Sequence, residues 1–116
     1  MLYSILIYVP EDLVDAMSTD DMDAHIARHL RVHDRLGEQG RLGPVVRLMP
    51  TTTAVQLRTS TTPHVIDGPF AETKEQLAGF YLIDATDLDE AIQIASRIPP
   101  ARIGSIEVRP VRELQP

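Results

Sequence analysis

Three histidines follow one another at four-residue intervals, His25, His29 and His33, in a stretch that also carries Met22, Ile26 and Leu36. Imidazole titrates near neutrality and can take or give a proton at either ring nitrogen, so such a row suits acid–base work. A second cluster hangs from a constrained turn, Asp67-Gly68-Pro69-Phe70-Ala71-Glu72-Thr73-Lys74-Glu75, closed by Gly79-Phe80-Tyr81. Gly68 admits backbone angles closed to other residues and Pro69 fixes the next one, so the turn's shape is specified while its charged groups are displayed. His29 and Asp67 are the pair expected to move protons. Glu72, Lys74, Tyr81 and His33 are the expected substrate contacts, with Lys74 suited to an anionic or phenolate group. Plainer roles compete: a core histidine satisfied by one hydrogen bond, a turn aspartate capping its own backbone, and loop ion pairs worth at most about 1 kcal/mol each. Imidazoles one turn apart can also chelate a metal, but three along one straight helix cannot all reach one ion. No metal and no cofactor is expected.

Composition narrows the classes. At 116 residues and 12.9 kDa the chain is one domain with room for a single core. Without cysteine there is no disulfide, no thiolate metal site and no cysteine nucleophile, so histidine and carboxylate must carry any chemistry. A net charge of −6 argues against nucleic acid and anionic membranes as partners. Arg28, Arg31 and Arg35 do share a helix, but Asp23, Asp34 and Glu38 dilute them. The apolar opening, residues 2–9, lacks a basic leader and stops at Pro10-Glu11-Asp12, too soon to cross a bilayer, so a cytoplasmic location is expected.

The elements that must position these residues follow from periodicity. Tyr3, Ile5, Ile7 and Val9 make one face of a first strand, and a loop or short turn fills residues 10–17. Ser18 with Asp21 caps a long helix running to Gly37 or Gly40, whose apolar stripe is Met22, Ile26, His29, His33 and Leu36, edged by Leu30 and Val32. Gly40 to Pro44 reads as a turn, followed by strand segments at 45–49 and 53–59, a hairpin turn at 60–63, and a short returning strand at 64–66. After the charged turn, Gly79 to Ala85 is a strand; Thr86 with Asp89 caps a second helix ending at Pro99-Pro100, and Ile103 to Val111 is the last strand. The order implies an α+β ferredoxin-like sandwich, an antiparallel sheet with two helices on one face. Its other face needs cover, and a homodimer is expected to supply it.

Asp67 to Glu75 with Gly79-Phe80-Tyr81-Leu82-Ile83 resembles the signature of the DGPF-domain, or YCII-related, family. The likeness continues in Asp87-Leu88-Asp89-Glu90-Ala91, in Ile98-Pro99 and in residues 104–111, and is weakest across 10–50. It implies a ferredoxin-like fold of the dimeric α/β-barrel type. In the family a histidine on the first helix, eleven residues before the glycine ending it, is paired with an aspartate as acid and base. Counting back from Gly40 gives His29, and the motif gives Asp67. One relative acts as a dehydrochlorinase on a chlorinated hydroxybenzene, and others accompany extracytoplasmic-function sigma factors. Two functions are thus in view. One is a cofactor-free acid–base enzyme, lyase or dehydrochlorinase-like, acting on a small molecule such as a hydroxylated aromatic. The other is a non-catalytic ligand-binding or accessory module in transcription regulation.

Overall fold

In the computed structural model, residues 1–58, 62, 64–68, 75–98 and 104–112 are described. Strand β1 (Leu2–Val9) is followed by a short helix α1 (Glu11–Asp15), the long helix α2 (Thr19–Glu38) and strand β2 (Leu42–Arg47). A 3-10 turn at Thr51–Thr53 leads to β3 (Val55–Arg58) and β4 (His64–Asp67), then β5 (Gln76–Asp84), helix α3 (Leu88–Ala95) and β6 (Ser105–Pro110). The main sheet has the order β2-β5-β1-β6, and its neighbouring strands are all antiparallel. With β3 and β4 set aside as a separate hairpin, this is the ferredoxin-like order, and the α+β expectation holds.

Strand alternation decides which face is covered. Tyr3, Ile5, Ile7 and Val9 from β1, with Tyr81 and Ile83 from β5, bury one face of the sheet against Leu36 of α2 and Ala91, Ile94 and Ala95 of α3. Both long helices therefore lie on one side. The opposite face carries Leu6, Tyr8, Phe80 and Leu82, only half-buried.

Local details differ from the sequence reading for identifiable reasons. Residues 11–15, expected within a loop or short turn, make a short helix, with Glu11 and Asp12 at its electropositive start. The turn ends at Gly40, whose φ of 67° is the left-handed conformation closing α2, so Leu42 to Pro44 already belong to β2. A register shift between Leu42 and Val45 accommodates Pro44. Ser18 caps α2 as expected, accepting from the Asp21 N–H at 3.1 Å. The α3 cap is Asp87, one residue later than expected. It accepts from the Glu90 N–H at 2.9 Å, while Glu90 reaches back to the Thr86 N–H. Strand β5 begins at Gln76 rather than Gly79; β6 begins at Ser105, and Ile103, its expected start, lies outside the described residues.

Candidate active site

Helix α2 does not press its whole stripe onto the sheet. Leu36 alone is buried, near the C-terminal end, while Ile26 and Leu30 remain exposed. The gap beneath the N-terminal half is a cavity of about 270 Å³, walled by α1, α2 and strands β1, β2 and β5. Its surface is mainly aliphatic, from residues such as Ile7, Val14, Met22 and Leu30, and its polar contributors are His25, His29, His33, Tyr81 and Arg47. Small-molecule sites have this character, a mostly apolar wall with few convergent polar groups.

The polar groups form one chain. Tyr81 is rooted in the central strand β5 and only 2% exposed, so its ring is held by the core while its hydroxyl points at α2. That hydroxyl lies 2.6 Å from His29 Nδ1 and 2.7 Å from His33 Nε2. His29 Nε2 lies 3.2 Å from His25 Nε2. A phenol has one proton, so Tyr81 donates to one imidazole and accepts an N–H from the other. The chain then has two polarities. Either His25 donates to His29, His29 to Tyr81 and Tyr81 to His33, or every bond runs in reverse. No hydrogen bond to either outer nitrogen, His25 Nδ1 or His33 Nδ1, is found among the described residues.

Electrostatics hold three members of this chain, His25, His29 and Tyr81, in their uncharged forms. Burial pushes His29 from its ordinary 6.5 down to about 4, with further lowering from His25, His33, Arg47 and Arg28. His25 is lowered for the same leading reason, then by Arg28 and Arg47. Burial pushes the Tyr81 phenol upward. At neutral pH His25 and His29 are therefore free bases beside an un-ionised phenol.

The expected site residues divide accordingly. His29, His33 and Tyr81 meet around one hydroxyl. Asp67 sits exposed at the end of the β3–β4 hairpin, opposite Val55, and is not among the residues lining this cavity. Within the protomer the partners of His29 are His25 and Tyr81, and its pKa moves opposite to the rise that a paired aspartate would bring. Glu72 and Lys74 lie outside the described residues. Arg47 was missed as a cavity cation; its signal was a charge interrupting the run Val45-Val46-Arg47-Leu48. No three histidine or carboxylate side chains are arranged to hold a metal ion among the described residues.

Comparison with known proteins adds two findings. A family model for the YCII-related domain matches residues 1–115. An uncharacterised protein of Rhizobium meliloti (strain 1021) is 48% identical over 120 residues, which takes in 100% of this chain and 96% of that protein.

Proposed function

Because the chain belongs to the YCII-related domain family, we propose that it binds a small, largely apolar molecule beneath α2 and moves a proton on it through the His25–His29–Tyr81–His33 chain. The observation that carries this reading is the 2.6 Å contact between the Tyr81 hydroxyl and a neutral His29, set in the wall of an apolar cavity. A base uncharged at pH 7 has its lone pair free, and a pKa near 4 makes it one that passes a proton on rather than holding it.

The chain explains how a proton taken from substrate leaves the cavity wall. Substrate gives its proton to His25 Nδ1. His25 passes its Nε2 proton to His29 Nε2, His29 passes its Nδ1 proton to the Tyr81 oxygen, and Tyr81 passes its hydroxyl proton to His33 Nε2. His33, now carrying two protons, releases one from Nδ1. One proton enters and one leaves, and each inner group ends neutral with its polarity reversed. Arg47 provides the positive charge for the anion that the substrate becomes. A small hydroxylated aromatic fits the size and lining. No helix among the described residues is long and apolar enough to cross a membrane.

The test is proton abstraction from 5-nitrobenzisoxazole, a compact apolar aromatic that opens when a base removes its ring proton. Wild type should accelerate the opening, His29→Ala should abolish the acceleration, and Tyr81→Phe should reduce it about 10²-fold or more. Equal rates with wild type and His29→Ala overturn the catalytic reading. Saturable binding of 4-nitrophenol without acceleration would then favour the ligand-binding module.

A further inference from the structure

The far side of α2 presents a different chemistry. A groove of about 530 Å³ runs between α2 and α3, and five arginines line it: Arg28, Arg31 and Arg35 from α2, Arg41 after it, and Arg97 after α3. They are five of the chain's eleven basic residues, gathered in a protein of net charge −6. Glu90 is the one acidic residue in the lining, and it is committed to Arg41 at 2.6 Å. The other four arginines have no carboxylate within 4 Å among the described residues. The acidic neighbours that dilute them in sequence, Asp23, Asp34 and Glu38, do not line the groove. Positions 28, 31 and 35 share one face of α2, and Asp34 and Glu38, each three residues on from an arginine of that face, make no ion pair with it within 4 Å among the described residues.

Such a face costs stability when empty, because like charges one turn apart repel. Guanidinium groups match phosphate oxygens with paired, planar donors and cannot be deprotonated. Val32, Leu36 and Ile94 add an apolar floor between them, which a bare inorganic anion would not use. We propose that this groove is a binding site for a small organic polyanion, a phosphate ester with at least two adjacent phosphate groups and an apolar or aromatic body. The site is separate from the His29 cavity, on the opposite side of α2, and stands whether or not the cavity is catalytic. Arg28 is the link between them, since its charge is felt by His25 and His29.

Titration calorimetry at fixed ionic strength tests this with ATP, inorganic pyrophosphate, poly-glutamate and a single-stranded RNA of twenty nucleotides. ATP is expected to bind with one site per chain and more tightly than pyrophosphate, because only ATP reaches the apolar floor. Arg31→Gln with Arg35→Gln, and separately Arg97→Gln, should each weaken ATP by about tenfold or more, while Arg109→Gln, outside the groove, should not. These arginines are exposed, so the variants should keep the wild-type circular dichroism and melting point. Bound ATP should also raise the titration midpoint of His25 by screening Arg28. The proposal falls if ATP gives no heat at millimolar concentration, or if the groove variants bind it as wild type does. It falls equally if pyrophosphate matches ATP, or if RNA or poly-glutamate binds more tightly than either.

Discussion

Tyr81 shows how a single hydroxyl can organise three imidazoles. Its ring belongs to the core and its oxygen to the cavity, and it accepts from one of His29 and His33 while donating to the other, which puts both imidazoles in the same tautomer. Tyr81→Phe leaves both nitrogens without that partner and should cost about 1–3 kcal/mol in urea denaturation; a loss below about 0.5 kcal/mol would mean that water replaces the hydroxyl. The pH response follows from His29. Unfolded, its imidazole takes a proton near 6.5, whereas folded it resists protonation down to about 4. Between those values the unfolded state binds more protons, so this contribution to stability is complete above the unfolded value and declines as pH falls through the window. His25, lowered in the same direction, adds to the decline. Wild type should therefore lose more stability from pH 7.5 to 4.5 than His29→Gln does, as read from urea midpoints. Equal losses would show that His29 protonates as freely in the fold as outside it.

At the scale of elements, the sequence carried the sheet and helices well and the cavity poorly. Alternation in Tyr3-Ile5-Ile7-Val9 marked the buried face of β1, and the Ser18 cap marked the start of α2, because those signals are local. The stripe Met22-Ile26-His29-His33-Leu36 was legible too, but periodicity says only that a face turns inward. It cannot say that Leu36, with Val32 beside it, seats on the core while the turns before them stand off and leave a space. The arginine groove was hidden for the same reason, since Arg97 and Arg41 join Arg28, Arg31 and Arg35 only through tertiary packing. Gly79 does show its purpose once β2 lies beside β5. A Cβ there would collide with the Val46 carbonyl oxygen, a backbone atom that cannot turn aside. Gly79→Ala should push β2 away, costing about 1–3 kcal/mol in thermal or urea unfolding. An unchanged melting point would show that the strand pair has slack.

At the scale of the whole molecule, two apolar surfaces stand out. Among the described residues the sheet face bearing Leu6, Tyr8, Phe80 and Leu82 carries no helix, since α2 and α3 both pack on the other side. The β3–β4 hairpin forms its own two-stranded sheet, and its register places Val55, Leu57 and Val65 on one face together with Asp67. Those three apolar residues are 63%, 58% and 64% exposed. An isolated two-stranded ribbon is marginal in water, so the hairpin gains from lying against something apolar. A second copy is the occupant we propose, because each protomer offers both an uncovered sheet face and an apolar ribbon, and a two-fold axis lets one copy's ribbon extend along the other's sheet. Sedimentation equilibrium at micromolar concentration should give twice the 12.9 kDa chain mass. Leu57→Asp with Val65→Asp should shift that mass to the monomer, since charges introduced into an apolar interface are desolvated without partners. Their sites are exposed in the protomer, so the fold should persist by circular dichroism. A wild-type monomer, or a dimer indifferent to the double substitution, would leave the hairpin face without this role.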